Sequence, residues 1–465
     1  MESKGAPTAL RRAQSVLAIA LLVTLPALSH AGITVLIDGA AYPAQLRENT
    51  KLLKRLNGTT ALRARHFEGE LDGVGDSWIR VSIIRDRWNG VVSLDGARFV
   101  IDASVRRANS GELVLDAQSP KTLMTHARCA ADDTAAPLSP DVGARNLASL
   151  LGIEAEPANF AVVCQSTVDG ACLLAELDIV FDQQFQQRYP STYQVQAAAL
   201  LNMLDGYFRN DMKIQFDVLS MNFPTTELFT ATTDANELLN DITAKKNAGQ
   251  IPFVVNPRAI FHVVTGRRFN SSTVGLANTG TLCAAASNTG TTQVVSNNIA
   301  LTALVVAHEI GHNFGATHDG SNNTCGSGFI MAATLSQGAT HFSSCSIDSM
   351  TARLNALPNL AMCFEYPVDA VLAARPDNPT TTRANENFTL HYDVSEDHAS
   401  VAAAELYVTG RFAGGTGTFV DAKVNGIACT VAPDAQTYRC ATSSSGGLLD
   451  VTARVNGSGA LTVAS

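Results

Sequence analysis

The chain has 465 residues, of which 46% are hydrophobic and 16% are charged, and its formal net charge is -9. A chain of this length has room for two to four domains with at least one large core. The acidic balance argues against a nucleic-acid-binding protein, which usually presents a basic face, so we expect no nucleic-acid partner.

The first predicted element is an export signal at residues 1–31. A pair of arginines precedes an apolar run at 16–28, and the small-residue stretch 29–31 follows it. The run has about 13 residues, too few for a membrane-spanning helix, which needs roughly 20. The pattern therefore predicts a secretory signal peptide, and a secreted protein with no membrane span once that peptide is removed.

The segment from residue 32 to about 128 predicts short β-strands. Apolar and polar residues alternate there between Gly and Asp turn signals, as in HFEGELDGVGDSWIRVSIIRDRWNGVVSLDGARFVIDA. The small, polar and proline-containing stretch at 129–144 is typical of a linker. An exported chain can form disulfides, and nine cysteines are present. Nine is odd, so at least one thiol lacks an intramolecular partner.

A mixed α/β pattern begins near Ala175. ELDIVFD suits a strand, and STYQVQAAALLNMLDGYFRND places apolar residues at helical spacing. IQFDVLSM and AIFHVVTG predict further strands, and DANELLNDITAKKN predicts a helix. NNIALTALVVAHEIGHNFG then predicts a long apolar helix with an Asn cap, and SIDSMTARLNAL predicts a last helix with Ser346 as its candidate N-cap.

From Pro367 onward the pattern changes to short alternating strands between turns, such as ENFTLHYDVSE and GTFVDAKVNG. These strands predict a C-terminal all-β sandwich over residues 366–465. Cys429 and Cys440 flank a predicted hairpin in this region and could bridge it.

The end of the long apolar helix, AHEIGHNFGATHD at 307–319, carries three of the ten histidines. His308 and His312 are four residues apart, so they share one helix face and can reach one metal ion. Gly315 accepts a positive φ, so the chain can turn there and bring His318 to the same ion. Three imidazoles leave one position open, which is the arrangement of a catalytic rather than a structural zinc site.

Glu309 lies beside the first of these histidines in the sequence, close enough to act on a metal-bound water. We therefore predict that Glu309 is the general base, which accepts a proton from that water and passes it to the leaving amine.

HEIGHNFGATHD resembles the long motif of the metzincin metallopeptidases, and Asp319, directly after the third histidine, resembles the reprolysin (adamalysin) branch that includes ADAM enzymes. The family's methionine turn lies beneath the zinc, and GFIMAA supplies Met331. HFEGELDGVGDSWIRVSI resembles part of the family's propeptide. The likeness covers most of residues 60–363 and does not extend to the C-terminal region.

The resemblance implies an α/β fold, a mixed sheet with helices, for a zinc metallopeptidase domain at 175–365, preceded by a β-rich propeptide and linker at 32–174. It implies a zinc endopeptidase that hydrolyses peptide bonds in protein or peptide substrates and is made as a latent precursor. One catalytic zinc would be held by the three histidines.

The resemblance also assigns substrate contacts. STVGLANTGTLC at 272–283 is similar to the family's edge strand, which pairs with an extended substrate. The residues of that strand are Val274, Gly275, Leu276, Ala277 and Asn278. Residues after Met331, such as 332–334, would wall the specificity pocket. Asp319 would hold the third-histidine loop by bonding backbone or a histidine, the alternative being a plain surface charge.

The resemblance pairs Cys283 with Cys363 and Cys325 with Cys345. If Cys164 pairs with Cys172, and Cys429 with Cys440, then Cys129 is left alone near the end of the presumed propeptide. A thiolate there could occupy the open zinc position and keep the precursor silent, as in reprolysin relatives. The alternatives are an unrelated free thiol, or pairing of Cys129 with Cys164 or Cys172.

Calcium is doubtful. Glu176 fits the glutamate of the family's calcium site, but NPRAIFHVVTG lacks the expected Asp and Tyr366 replaces an Asn. The remaining histidines considered, His66, His262 and His341, have no second ligand at useful spacing and are expected to be structural or solvent-facing.

Two other functions are compatible with the same motif. One is a non-catalytic adhesion protein that uses the metallopeptidase scaffold, with the C-terminal sandwich as its binding part. The other is a zinc hydrolase that acts on a bond other than a peptide. The sequence does not specify the natural substrate, the propeptide cleavage site, the role of the C-terminal region or the oligomeric state.

Overall fold

A computed structural model describes residues 33–49, 52, 65–104, 106–107, 113–119, 128–129, 160–165, 167–320, 323–367, 370–379, 383, 385–396, 406–412, 417–431, 435, 437–442, 447–455 and 463–464. The predicted signal peptide at 1–31 and the predicted linker, except for Cys129, lie outside these described residues. No helix within the described ranges is long and apolar enough to cross a bilayer.

An eight-stranded sheet forms the N-terminal part of the structure. Its strands are β1 Ile33–Ile37, β2 Ala40–Glu48, β3 Arg65–Leu71, β4 Ser77–Ile84, β5 Arg87–Leu94, β6 Ala97–Ser104, β7 Arg106–Arg107 and β8 Leu113–Gln118. The strand order is β1-β2-β3-β4-β5-β6-β8-β7, and β1 also pairs in parallel with β8. This pairing closes the sheet into the N-terminal barrel, whose core includes Val35, Phe67 and Trp88.

A mixed sheet forms the centre of the second unit, the central domain. Its strands are β9 Arg128–Cys129, β10 Leu173–Phe181, β11 Ile214–Asn222, β12 Ile260–Thr265, β13 Thr273–Ala277, β14 Thr289–Gln293 and β15 Phe364–Glu365. The order is β11-β10-β12-β14-β13-β9, with β15 beside β10. β10, β11, β12 and β14 run parallel, and β13 runs antiparallel to β14.

Helices cover both faces of this sheet. They are α1 Phe160–Val163, α2 Gln183–Arg188, α3 Tyr193–Met212, α4 Ala235–Asn247, α5 Ile299–Asn313 and α6 Ser344–Asn355, with a 3-10 turn at Leu360–Met362. Alternate strand residues point to opposite faces, so Ile179 joins the core shared with α3 and α5 whereas Val180 joins the core shared with α4. The central domain therefore has three layers, helix on sheet on helix.

Residues upstream of the predicted boundary at 175 contact the central domain. β10 begins at Leu173, and Cys164 is joined to Cys172 by a disulfide. The backbone N–H of Phe160, at the start of α1, donates to Asn355 Oδ1 at the end of α6 (2.8 Å). The four-residue helix α1 is too short to show the periodicity by which longer helices are recognised.

The barrel packs on α3 and on the 337–341 segment of the central domain. We call this contact the barrel interface. Its residues on the barrel side are Glu68, Trp78, Arg80 and Arg98, and those on the other side are Asp205, Gly206, Tyr207, Arg209 and the 337–341 segment. The Trp78 ring meets Tyr207 edge-on, with ring centroids 5.2 Å apart. A Cβ at Gly206 would lie 2.8 Å from the Trp78 ring, so only glycine permits this approach. Arg80 Nη2 lies 3.2 Å from Asp205 Oδ2, and Arg209 pairs with Glu68.

Two sheets form the C-terminal region. One has the order β16-β17-β23-β19-β20 and the other β21-β22-β18-β24. Their strands are β16 Ala370–Ala374, β17 Asn387–Glu396, β18 Leu406–Phe412, β19 Gly417–Val424, β20 Ile427–Ala428, β21 Thr430–Val431, β22 Thr437–Thr442, β23 Gly447–Val455 and β24 Val463–Ala464. One core joins Phe419 and Val451 of the first sheet to Tyr438 of the second, and Cys429 is bonded to Cys440.

Candidate metal centre

The helix α5 carries the first two histidines into the interior. Its N-cap, Asn298, accepts a hydrogen bond from Ala300 N, as the sequence predicted, and every residue of the helix is buried. The helix ends at Asn313, and Gly315, two residues further on, has a φ of 102°, a left-handed conformation that favours glycine. The turn is closed by hydrogen bonds from Gly315 N to His312 O (2.8 Å) and from Ala316 N to Gly311 O (3.0 Å). The chain then returns to bring His318 beside the helix.

Three Nε2 atoms converge at this point. The His308–His312 separation is 3.1 Å, and His318 Nε2 lies 3.2 Å from each of the other two. All three side chains are buried, and they form the one cluster of potential metal ligands found among the described residues.

The protonation of two rings follows from their partners. His308 Nδ1 lies 2.7 Å from Ile330 O, and His312 Nδ1 lies 2.8 Å from Ala316 O. A carbonyl oxygen only accepts, so both Nδ1 atoms carry the hydrogen and each Nε2 presents a lone pair. Burial, followed by the neighbouring His318, lowers the pKa of His312 to about 3. Neutral rings with lone pairs aimed at one point fit a zinc ion, and carbonyl partners of this kind orient zinc-binding histidines.

Glu309 is buried beside this cluster and faces the edge strand β13. A Cβ at Gly275 would come within 2.4 Å of Glu309 Oε1. The carboxylate therefore occupies the space that any larger residue at 275 would need. The resemblance placed Gly275 in the edge strand, but the sequence carries no signal of this contact, because it joins residues 34 positions apart.

Met331 packs against the helix α5. A backbone hydrogen bond also joins Met331 to the loop that carries His318. Its side chain is fully buried, and its Sδ would lie 2.6 Å from a Cβ at Gly311. Its carbonyl accepts a hydrogen bond from Asp319 N (2.9 Å). Met331 thus packs below the segment that carries His308 and His312.

Asp319 ties the third-histidine loop to the start of α6. Its Oδ1 lies 2.6 Å from Ser343 Oγ and 3.1 Å from Ser346 Oγ, so its carboxylate is used internally rather than on the surface. Ser343 is also the N-cap of α6, because its Oγ accepts from Ser346 N (3.1 Å). The prediction of Ser346 as that cap was wrong, since the helix begins at Ser344, two residues earlier than predicted.

Disulfides join Cys283 to Cys363 and Cys325 to Cys345, the same pairs that the resemblance implied. With Cys164–Cys172 and Cys429–Cys440, they pair eight of the nine cysteines and leave Cys129 over. The Cys325–Cys345 bond reinforces the link between the third-histidine loop and α6 that Asp319 makes.

The predicted substrate strand, β13, is next to last in the strand order of the central sheet, between β14 and the two-residue strand β9. β13 pairs with β14 on one side, and on the other side it pairs in parallel with β9, with Cys129 opposite Gly275. Asn278 follows the strand, and its amide is turned inward, donating to Ser287 O and Thr289 Oγ1 (both 2.9 Å). Its side chain therefore has a structural role.

The residues considered for calcium bind each other directly. The Asn256 amide nitrogen donates to the Glu176 carboxylate and to Met362 O. The pKa of Glu176 is raised, because burial outweighs the hydrogen bond from Asn256, which lowers that pKa. The Asn256 amide therefore links the Glu176 carboxylate to Met362 O, and the doubt about a calcium ion stays a prediction.

The three other histidines considered in the sequence, His66, His262 and His341, have partners away from the cluster. His66 Nδ1 lies 2.7 Å from Ser82 Oγ, and His262 Nε2 lies 3.0 Å from Thr292 Oγ1. His341 Nδ1 lies 2.7 Å from Asp211 Oδ1. None of them belongs to the three-histidine cluster.

Comparison with known proteins identifies one domain. Residues 174–343 match a reprolysin-type family model described as Metallo-peptidase family M12. The zinc metalloproteinase-disintegrin-like BmMP of Bungarus multicinctus is 43% identical over 81 residues, which are 17% of this chain and 13% of that protein. The zinc metalloproteinase-disintegrin-like atrase-A of Naja atra is 46% identical over 87 residues, 18% of this chain and 14% of that protein. The chain thus spans about one seventh of the length of these relatives.

Proposed function

We propose that the chain is a secreted zinc endopeptidase made as a latent precursor, because residues 174–343 match a reprolysin-type family model of metallopeptidase family M12. The observation that carries the proposal is the convergence of three buried Nε2 atoms at 3.1–3.2 Å. Secretion is supported by the predicted signal peptide and by four disulfides, which persist in oxidising compartments.

His308, His312 and His318 would hold the zinc through Nε2. When bound, zinc supplies Lewis acidity that activates water and polarises a carbonyl. Glu309 accepts the proton of the attacking water and delivers it to the leaving amine. The approach of its buried carboxylate to Gly275 of the edge strand supports this role.

The substrate chain would lie extended along β13, bonded to the backbone of Val274, Gly275, Leu276 and Ala277. Gly275 supports this assignment, because it belongs to this strand and also contacts Glu309. Residues 332–334 would wall the specificity pocket, because they follow Met331 directly.

Cys129 would keep the precursor silent as a ligand to the fourth zinc position. The backbone pairing of Cys129 with Gly275 supports this role, since Gly275 contacts Glu309. We expect a Cys129→Ala precursor to hydrolyse peptides before any cleavage of the chain. Unchanged latency in that variant would contradict the assignment.

Casein hydrolysis with and without a chelator tests the proposed activity. We expect the chelator to abolish it and added zinc to restore it. Glu309→Gln should retain zinc while hydrolysis falls by about 10²–10⁴-fold, the usual contribution of a general base. Exposed Glu365 gives the matched control, and Glu365→Gln should retain full activity. An active Glu309→Gln protein would refute the role given to Glu309.

A further inference from the structure

Besides packing on α3, the barrel contacts the 337–341 segment of the central domain through one hairpin. β5 and β6 are joined by a two-residue turn, Asp95–Gly96, in which both residues have positive φ. An Asp-Gly pair suits this tight hairpin. The hairpin is directed at the 337–341 segment of the central domain, which follows the predicted wall of the specificity pocket.

Backbone groups of the two segments pair as strands do. Ala97 forms an antiparallel bridge with Ala339, and Arg98 N donates to Gly338 O (2.7 Å). Thr340 adds side-chain bonds, since its Oγ1 donates to Gly96 O (2.9 Å) and lies 2.8 Å from Ser93 Oγ. Both hydroxyls are buried, so these bonds are shielded from water.

Arg98 inserts its side chain into the central domain. The residue is 2% exposed, and its Nε donates to Gln337 O (2.5 Å). Its Nη1 points to Ala300 O (3.4 Å) in the first turn of α5, the helix that carries His308. A buried guanidinium is costly unless its hydrogens are bonded, so the carbonyl oxygens around it form a socket suited to an arginine.

The contacted segment is bonded to the metal centre. His341 O accepts a hydrogen bond from Ile330 N (2.9 Å), and Ile330 O accepts from His308 Nδ1. Two hydrogen bonds thus connect the segment under the hairpin to a proposed zinc ligand. A hairpin that binds the 337–341 segment therefore also stabilises the residues around His308.

We propose that the 337–341 segment and Ala300 O form a docking surface for an arginine presented on a β-hairpin, and that the Asp95–Gly96 hairpin with Arg98 is its occupant in the precursor. Arg98 is a second latch, separate from Cys129, that keeps the barrel on the central domain after the connecting chain is cut. The inference rests on the proposed function in taking the barrel as a propeptide.

Retention of the cut barrel tests this latch. A cleavage site for an exogenous protease is inserted between residues 130 and 159 of the full-length Glu309→Gln chain, and the cut protein is analysed by size exclusion at falling concentration. We expect the wild-type barrel to co-elute with the rest of the chain. Arg98→Ala should weaken retention by about tenfold or more, since hydrogen bonds to a buried charged group are removed.

Two further variants make the result decisive. Arg87→Ala removes an exposed arginine of the same sheet, paired with Asp102, and should leave retention unchanged. Thr340→Val removes the bonds to Ser93 and Gly96 from the other side and should weaken retention even if Arg98→Ala does not fold. The proposal is overturned if both Arg98→Ala and Thr340→Val retain the barrel like the wild type, or if the wild-type barrel is released at once. Because the readout is binding in an inactive background, failure of the proposed peptidase activity would not alter it.

Discussion

The metal centre and the barrel interface both bury polar side chains, but they satisfy them in different ways. At the metal centre the imidazoles are neutral, and carbonyl oxygens orient two of them so that their lone pairs converge. At the barrel interface full charges face each other, with Arg80 and Arg209 of opposite units sharing Asp205 and Glu68. The first arrangement gains its stability when a cation is added, whereas the second is complete only while the two units stay together.

Substitution of Gly275 should give the largest effect on peptide hydrolysis. We expect this effect to arise at the metal centre alone. Gly275→Ala places a Cβ 2.4 Å from Glu309 Oε1, so the carboxylate must move. We expect peptide hydrolysis to fall about 100-fold or more, since misplacement by about 1 Å can cost that much. Gly328 has open space around its Cβ position, so Gly328→Ala is the matched control. A fully active Gly275→Ala enzyme would show that Glu309 is not constrained by the edge strand.

Removal of a charge from the barrel interface should mainly affect stability. Asp205→Ala leaves Arg80 and Arg209 buried without one of their carboxylates, and we expect a loss of about 3–5 kcal/mol in the free energy of unfolding of the full-length chain. Asp102→Ala, which breaks an exposed ion pair with Arg87, should cost about 0–1 kcal/mol. Denaturant unfolding of the precursor measures both values. Equal values for the two variants would mean that the buried cluster does not hold the units together.

The same contrast explains what the sequence could reveal. His308, His312, Gly315 and His318 lie within eleven positions, so their spacing alone predicts a shared ion and the turn that assembles it. The mixed α/β pattern predicted β10, β11 and β12 and the helices α3 to α6 of the central domain, with ends shifted by a few residues, as for α6, but it did not predict α2 or β14. These features depend on local periodicity and on short motifs, which a sequence displays directly.

Contacts between distant segments left no such signal. Arg98 and Gln337 are 239 positions apart, and nothing in the pattern around Arg98 distinguishes it from a surface arginine of a strand. Two other contacts are of the same kind: that of Gly275 with Glu309, and the hydrogen bond from Phe160 N to Asn355 Oδ1. Such features depend on how separate elements pack, which periodicity does not encode.

The link between Asp319 and α6 should show a smaller effect at the metal centre. Ser343→Ala removes the N-cap of α6 and the shortest bond to Asp319, so we expect about 1 kcal/mol less stability. Zinc affinity should fall about 10-fold, because this bond supports the loop that carries His318. Ser344 is exposed at the next position, and Ser344→Ala should change neither quantity. Unchanged zinc affinity in Ser343→Ala would limit Asp319 to a role in folding.

The smallest effect is expected from pH at the barrel interface. The hydrogen bond to Asp211 raises the pKa of His341, and Asp76 of the barrel, 3.6 Å away, adds to the rise. A raised pKa means that the bound proton stabilises the folded full-length chain below pH 6.5, and that this stability is lost as pH rises through the folded-state pKa. The free energy of unfolding of the full-length chain should therefore decline slightly between about pH 6 and pH 9. His341→Gln should remove this decline. An identical pH profile in the variant would exclude His341 as its source.

X-ray absorption at the zinc edge, combined with metal analysis of the purified Cys129→Ala protein, tests the central claim most directly. We predict one zinc per chain, bound by three imidazole nitrogens at about 2.0–2.1 Å with one solvent oxygen, and loss of that zinc in His312→Ala. Protein that contains no stoichiometric zinc, or an ion whose coordination is completed by a fourth side chain, would contradict the account.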